Sequence, residues 1–202
     1  MEKINEILQK VTELYMKFGI KSVTMNDVAR ELGVSKKTLY NCVKDKEELV
    51  KKVIDAKNKK LAERIKEIFE SNMNAIEVTL AVSNFISNHV KRMPPTVEYD
   101  LKKYYPKIYK EQNELSRANM NNAIVANMKR GIEEGLFRKN LIPEIIAKIQ
   151  IHRMEASKDE FFSEFENYTI DELFKEVITY HLRGICSPKG LEFLEKNIDK
   201  YK

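Results

Sequence analysis

The sequence predicts an all-α fold, and two observations support that prediction. Apolar residues recur at intervals of three and four along nearly the whole chain, which is the spacing of amphipathic helices. Glycine and proline interrupt helices and are scarce here, since the 202 residues include 6 Gly and 5 Pro. No stretch of alternating apolar and polar residues competes with this pattern. We therefore expect helices separated at the glycine and proline positions.

The amino-terminal part of the chain predicts four helices. An apolar stripe over residues 4–18 predicts a first helix that ends at Gly19. Two short helices follow, and Asp45 with Glu48 three positions later predicts a capping box at the start of a long fourth helix. We expect the early turns of this helix to pack on the first three helices and its later turns to join the rest of the chain. The predicted domain boundary therefore lies near Val50, and the fourth helix is a candidate lever between the domains.

The rest of the chain predicts six more helices, most of them placed by proline. The predicted ranges are Ala75–Val90, Val97–Tyr104 after the break at Pro94-Pro95, Pro106–Glu134, Pro143–Ser157, Ile170–Ile185 and Pro188–Lys196. Proline is favourable in the first turn of a helix, and glycine is favourable just after the last turn, where Gly135 stands. The chain thus divides into an amino-terminal domain, residues 1–50, and a helical body, residues 51–202.

Residues 24–44 predict two short helices joined by a tight turn. Val28 and Leu32 lie four positions apart and give the first helix a narrow apolar face. Gly33 can adopt the left-handed backbone conformation that ends this helix, and Ser35 can cap the next one through its hydroxyl. This combination predicts a helix-turn-helix unit. The alternative is an ordinary helix hairpin.

The second short helix leaves many polar and basic side chains uncovered. We expect Leu39 and Cys42 to point inward and anchor it. The residues that are then predicted to contact DNA are Ser35, Lys36, Lys37, Thr38, Tyr40, Asn41, Lys44 and Lys46. Lysine favours guanine and asparagine can pair with adenine at base edges, whereas Tyr40 and Lys46 suit phosphate contacts. The amino terminus of the fourth helix is a further candidate for a phosphate contact.

The charge of the chain is concentrated near its amino terminus. Residues 1–60 hold 14 Lys or Arg against 9 Asp or Glu, while residues 61–202 hold 22 of each. An excess of this kind suits a polyanionic partner, because lysines that neutralise phosphates release condensed counterions. Taken alone, the charge fits a solvated basic surface equally well.

The run Val28–Tyr40, followed by Lys44–Leu49, resembles the amino-terminal DNA-binding domain of the TetR family of bacterial transcriptional regulators. Strong similarity covers about residues 7–50, and beyond them only length, helical character and a few carboxy-terminal signals are similar. The resemblance implies a ligand-released repressor that binds a near-palindromic operator in double-stranded DNA as a homodimer. One departure is Asn41-Cys42-Val43, where family members usually have an aromatic pair, so the backbone contact of that aromatic residue is not expected at Asn41.

The helical body contains a region rich in aromatic rings, thioethers and hydroxyl groups, which predicts a pocket for a small-molecule effector. The candidate ligand-binding residues are Phe85, His89, Met93, Tyr99, Tyr105, Tyr109, Met120 and His152. For any single one of them, a place in the core with the hydroxyl reaching water is an equally good interpretation.

The last two long helices carry broad apolar stripes. Their candidate interface residues are Ile145, Ile149, Phe174, Val177, Ile178, His181 and Leu182. The family resemblance implies that these helices pair with the same helices of a second subunit, and stripes wider than one inward face agree with a homodimer. The alternative is an internal helix pair.

Several classes of protein are not expected. The two cysteines, Cys42 and Cys186, have no paired spacing, so we expect neither a disulfide nor a metal site. His152 with Glu155 lacks the repeated motif of a di-iron bundle. Nothing supplies a nucleophile with its base or a phosphate-binding loop, so we expect no enzyme and no cofactor.

The first residues of the chain are charged and lack the apolar stretch of a signal peptide. No later stretch approaches about 20 uninterrupted apolar residues, the length that a membrane-spanning helix needs. We therefore expect a cytoplasmic protein without a membrane partner. A second hypothesis for its function is a ligand-independent adaptor that binds DNA or another protein. A helical body without a cavity for a small molecule would favour that adaptor.

Overall fold

The computed structural model describes residues 2–156, 165 and 167–198, and this part of the chain contains ten α-helices. In order they are α1 (Glu2–Phe18), α2 (Met25–Glu31), α3 (Lys36–Tyr40), α4 (Lys46–Phe69), α5 (Ala75–Lys91), α6 (Pro95–Tyr104), α7 (Pro106–Glu133), α8 (Pro143–Ala156), α9 (Ile170–Ile185) and α10 (Pro188–Asn197). The extended pairing within these residues is an isolated antiparallel bridge between Phe137 and Cys186. None of the described helices combines the length and the apolarity of a bilayer span. The predicted all-α fold is confirmed.

Proline begins four of these helices. Pro95, Pro106, Pro143 and Pro188 stand at the first positions of α6, α7, α8 and α10. Proline lacks the backbone N–H, and this loss costs little in the first helical turn because the N–H groups there have no partner within the helix. The predicted bounds of α5 to α10 agree with the structure to within two residues, apart from Ser157 at the predicted end of α8, which lies outside the described residues.

Short polar side chains fix the starts of further helices. Thr24, Ser35, Thr169 and Ser187 precede α2, α3, α9 and α10, and each accepts a hydrogen bond from the backbone N–H three residues later. These bonds satisfy donors that the first turn of a helix would otherwise leave unpaired. The local sequence therefore defines where the helices begin.

The helices pack into two compact units, and the first comprises Met1–Glu63 and Arg92–Ser116. Its core combines buried side chains of α1 to α4 with those of α6 and the start of α7, including Val11, Tyr15, Val28, Leu39, Leu49, Val53, Val97 and Ile108. Asp100 of α6 strengthens this packing, because its carboxylate accepts a hydrogen bond from the backbone N–H of Lys21 at 2.7 Å. The predicted domain 1–50 lies within this unit, and a functional boundary near Val50 stays a prediction.

The second unit comprises Arg64–Lys91 and Arg117–Lys202. Its core is formed by α5, α7, α8, α9 and α10, with buried members that include Ala75, Ile76, Ile124, Met128, Phe137, Ala147, Leu182 and Leu194. Two glycines permit close packing here. A Cβ atom at Gly131 would overlap the ring of Phe137, and a Cβ atom at Gly190 would overlap the backbone carbonyl of Leu136.

Candidate functional site

The helix α2 begins at a reciprocal cap between Thr24 and Asp27. The Thr24 hydroxyl accepts a hydrogen bond from the Asp27 N–H at 3.2 Å, and the Asp27 carboxylate accepts one from the Thr24 N–H at 2.9 Å. The Thr24 hydroxyl also donates to this carboxylate at 2.6 Å, and these bonds hold the pKa of Asp27 below its usual value. With its start fixed, α2 buries Val28 and Ala29 in the core of the first unit.

The turn between α2 and α3 has the predicted form. Gly33 has φ +65°, and no atom lies within 4 Å of the place where its Cβ would be. The backbone conformation, and not a lack of space, therefore favours glycine at this position. The Val34 N–H donates to the Ala29 carbonyl at 3.0 Å, and the Ser35 hydroxyl accepts from the Thr38 N–H at 3.0 Å to cap α3.

The helix α3 is anchored from one side and exposed on the other. Leu39 is 1% exposed and joins the core of the first unit. Seven of the eight predicted DNA contacts are exposed, namely Ser35, Lys36, Lys37, Thr38, Tyr40, Asn41 and Lys44. The ammonium of Lys36 lies 5.9 Å from the centre of the Tyr40 ring, so a cation and an aromatic ring share this surface. An exposed polar helix on a buried anchor can enter the major groove of DNA.

The prediction that Cys42 anchors α3 is wrong. The buried position after Leu39 falls four residues on, at Val43, whose N–H donates to the Leu39 carbonyl at 3.2 Å, and not at residue 42. Cys42 is exposed, and its thiol donates a 3.6 Å hydrogen bond to the carbonyl of Thr38. Val43, which is 5% exposed, occupies the buried position instead.

Lys46, the eighth predicted DNA contact, is half-buried. Its ammonium donates to the carbonyl of Lys21 at 3.2 Å, and burial lowers its pKa. The start of α4 also holds two carboxylates, because Asp45 accepts from the Glu48 N–H at 2.8 Å and Glu48 accepts from the Lys44 N–H at 2.6 Å. The predicted cap at Asp45 is confirmed, but the predicted capping box is not formed, because the Glu48 carboxylate accepts from the Lys44 N–H and not from the Asp45 N–H. Since two carboxylates repel a phosphate, a phosphate contact here would depend on the lysines.

The eight residues predicted to bind an effector are divided between the two units. Met93, Tyr99, Tyr105 and Tyr109 belong to the first unit, while Phe85, His89, Met120 and His152 belong to the second. In the first unit, for example, the Met93 sulfur accepts a hydrogen bond from the Lys57 ammonium at 3.1 Å. Of the eight, Met120 alone lines the interior cavity of the second unit. The grouping followed proximity along the chain, whereas the packing assigns α5 and α6 to different units.

The cavity of the second unit lies among α5, α7, α8, α9 and the last residue of α4. Its empty volume is about 820 Å³, counted together with the open solvent at its mouth. Its walls are mainly apolar and include Val82, Ile86, Ile124, Met128, Phe137, Phe174, Val177 and Ile178. Its polar side chains include Thr79, Asn127, Gln150, Arg153 and His181. A mainly apolar cavity with a few polar groups is typical of a small-molecule site.

Two basic side chains stand at the polar part of this cavity. Burial, and secondarily the charge of Arg153, lowers the pKa of His181 to about 4. Burial also lowers the pKa of Arg153. The sequence analysis did not single out Arg153 or Gln150. Their separation of three residues on α8, among apolar neighbours, was the available signal for a shared face.

The residues predicted to form a subunit interface divide into two groups. Phe174, Val177, Ile178 and His181 line the cavity of their own unit, and Leu182 is fully buried there. Ile145 and Ile149 are 52% and 57% exposed on α8. These two isoleucines therefore offer apolar surface outside the core, whereas the five α9 residues already have contacts within the chain.

Comparison with known proteins agrees with the architecture of the first unit. Residues 7–53 match the family described as bacterial regulatory proteins, tetR family. The chain is also 22% identical over 167 residues to the HTH-type transcriptional regulator YvaF of Bacillus subtilis (strain 168), a match that covers 82% of this chain and 87% of that protein.

Two solved structures share the fold. A transcriptional regulator from Cytophaga hutchinsonii has a TM-score of 0.79 and 18% identity, with 93% of this chain and 100% of that chain covered. The regulator FadR of Bacillus subtilis, in complex with stearoyl-CoA, has a TM-score of 0.68 and 17% identity, with 90% and 99% covered. Residues 7–53, which match the tetR family of bacterial regulatory proteins, contain the helix-turn-helix unit, so the predicted resemblance of the amino-terminal domain to this family is confirmed.

Proposed function

We propose that this chain is a homodimeric, ligand-released repressor that binds a near-palindromic operator. The α3 helices of the two subunits would enter successive major grooves on one face of DNA, about 34–36 Å apart. The observation behind this proposal is the exposed polar surface of α3 over the buried anchor Leu39. Such a regulator would act in the bacterial cytoplasm, where its operator lies.

The exposed side chains suggest a division of roles on DNA. We assign Lys36, Lys37, Thr38 and Asn41 to base edges, and Tyr40, Lys44 and Lys46 to phosphates. Ser35 has a supporting role, since its hydroxyl caps α3 and lies 2.8 Å from the Thr38 hydroxyl. This hydrogen bond restricts the rotation of the Thr38 side chain before it meets a base.

The cavity of the second unit supports the ligand-responsive part of the proposal. The similarly folded FadR of Bacillus subtilis was solved in complex with stearoyl-CoA, and this supports a ligand-binding role for the body of this chain. The same cavity makes a ligand-independent adaptor a weaker candidate. Release requires that the effector bind the released form of the dimer more tightly than the DNA-bound form, because equal affinity for both forms shifts no population.

The dimer is proposed to form through α8 and α9. Ile145 and Ile149 are more than half exposed, and Tyr180 on α9 is 76% exposed. Apolar side chains exposed on two neighbouring helices can be covered by the same surface of a second copy in a two-fold interface.

The operator can be found by selecting bound fragments from random duplex DNA and measuring affinity by fluorescence anisotropy. A palindromic consensus with half-sites one helical turn apart, or a multiple of it, is the expected result. Replacing Lys37 with Ala should lower the affinity of the protein for the selected duplex. Lys139→Ala is the matched control, because Lys139 is an exposed lysine of the second unit.

Two results would contradict this assignment. Equal loss of affinity in Lys37→Ala and Lys139→Ala would mean that the overall charge, and not α3, carries the binding. Failure of the purified chain to enrich any sequence at low salt would reject operator recognition itself.

A further inference from the structure

The described lining of the cavity in the second unit contains a positive charge and no carboxylate. Arg153 is the one Arg or Lys among the described residues that line it, and these residues include no Asp or Glu. Within the described part of the chain, the buried Nε of Arg153 makes no hydrogen bond. A guanidinium offers five N–H donors, and burying such a charge without an anionic partner is unfavourable.

The other polar groups near Arg153 are uncharged near neutral pH. Gln150 lies one turn before Arg153 on α8, and His181 of α9 also lines the cavity. Because its pKa is about 4, His181 is neutral at pH 7 and can donate one N–H. This part of the cavity therefore combines one cation with amide and imidazole groups that can donate hydrogen bonds.

Two polar side chains elsewhere in the cavity, Asn127 and Thr79, are already paired. The Asn127 amide donates to the Ala75 carbonyl at 2.9 Å and to the Thr79 hydroxyl at 3.0 Å, and its oxygen accepts from Arg130 at 2.8 Å. These contacts satisfy Asn127 without a ligand. An unmet requirement for a partner therefore remains at Arg153, in a cavity whose described walls are mainly apolar.

We infer that the cavity binds an amphipathic oxyanion, a molecule with a carboxylate or a similar group on an apolar body. The oxyanion pairs with the guanidinium of Arg153 and accepts hydrogen bonds from Gln150 and His181. The apolar body contacts the walls formed by α5 and α7, including Ile86, Ile124 and Met128. This inference names the effector class for the proposed function, but it concerns binding and does not require release from DNA.

Neutral and cationic molecules of the same shape should bind in the cavity with lower affinity than the anion. A neutral alcohol covers the apolar walls but leaves the guanidinium without an anion, and an amine adds a second positive charge. Hydrogen bonds between ionised partners are roughly twice as strong as neutral ones, and the planar guanidinium matches two carboxylate oxygens at once. Charge, more than chain length, should therefore rank the ligands.

Calorimetric titration of the full chain without DNA tests this ranking. The probes are octanoate, dodecanoate and hexadecanoate, with dodecanol, dodecylamine and dodecyl phosphate, each below its aggregation limit. We expect at least one alkanoate to bind, and the dodecyl anions to bind about tenfold or more tightly than dodecanol. Comparing dodecanoate with dodecyl phosphate identifies the preferred oxyanion.

Three variants assign the charge to one side chain. Arg153→Gln should lower the affinity for the best anion by about 10- to 100-fold and change the affinity for dodecanol little. Arg153→Lys keeps the positive charge but loses the planar group that can bind two carboxylate oxygens at once. Its affinity for the anion should therefore lie between those of the unaltered chain and Arg153→Gln. Lys148→Gln is the matched control, because Lys148 is exposed on the same helix and its replacement removes the same charge. The control should bind like the unaltered chain.

The unliganded proteins provide a second readout. Removing a half-buried charge that has no anionic partner among the described residues should leave the melting temperature of Arg153→Gln equal to or above that of the unaltered chain. A large decrease would mean that Arg153 holds an internal anionic partner, and this would overturn the inference. Equal affinity for dodecanoate and dodecanol, or no binding of any anion, would also overturn it.

The same titrations separate this inference from the proposed function. If an anion binds through Arg153 but does not release the selected operator, the proposed release by an effector is rejected and the inference of an oxyanion ligand is supported. If a neutral compound releases the operator from both the unaltered chain and Arg153→Gln, the proposal of a ligand-released regulator is supported and the inference of an oxyanion ligand is rejected.

Discussion

Replacing His181 should remove part of the pH dependence of stability. In the folded chain, burial and the neighbouring charge of Arg153 lower the pKa of His181 from 6.5 to about 4. As the pH falls from 6.5 towards 4, the unfolded chain binds a proton at this residue and the folded chain does not. The unfolded state therefore binds more protons, and the free energy of unfolding decreases. Above pH 6.5 this loss is absent.

The size of the effect follows from the pKa difference. A shift from 6.5 to about 4 corresponds to a limit of about 3 kcal/mol, of which about 2 kcal/mol is lost between pH 7 and pH 5. One kcal/mol shifts the melting temperature of a protein of this size by about 2–4 °C, so the upper limit of the extra decrease is about 8 °C.

Thermal unfolding followed by circular dichroism at pH 5 and pH 7 measures this difference. The decrease in melting temperature from pH 7 to pH 5 should be smaller in His181→Gln than in the unaltered chain. Carboxylates contribute equally in both, so they cancel in the comparison. His152→Gln is the matched control, since His152 is an exposed histidine on α8. Equal pH dependence in the unaltered chain and His181→Gln would refute the argument from burial.

Three further changes test the first unit. Lys46→Ala should lower the affinity for all duplexes by the same factor. If Lys46 neutralises one phosphate, the slope of log K against log salt should become about 0.9 less steep. An unchanged slope in anisotropy titrations would reject that contact. Ser35→Ala should destabilise the fold by about 1 kcal/mol in thermal unfolding, whereas Ser35→Asn, which can still cap α3, should cost less. Gly33→Ala should destabilise by about 1–2 kcal/mol because of its positive φ, whereas the helical Gly184→Ala, also with open space around it, should be neutral or stabilising.

The helices were predictable because local chemistry marks their ends. Proline at the first position and Thr or Ser at the cap depend on residues within one turn, so a single sequence contains the information. The exposed face of α3 followed in the same way from the cap at Ser35 and the anchor at Leu39. The exception was Cys42, because the buried position after Leu39 is taken by Val43, four residues on, and not by the residue three positions on.

The cavity was not predictable because its walls come from five helices spread over residues 69–185. The aromatic residues between 85 and 120 looked like one group, yet the packing divides them between two cores. The stripe on α9 was recognised, but a pattern of apolar residues does not say whether an internal cavity or a second subunit covers it. Phe174 and His181 face the cavity, and this could be known only from the positions of α5 and α8.

The close packing at Gly131 and Gly190 has a consequence for laboratory evolution of ligand specificity. Any side chain at Gly190 would displace the backbone carbonyl of Leu136, and any side chain at Gly131 would displace the ring of Phe137, which also lines the cavity. A mutational library should therefore keep both glycines and diversify the walls instead. Randomising these two positions would mainly yield misfolded clones, whatever new effector the screen rewards.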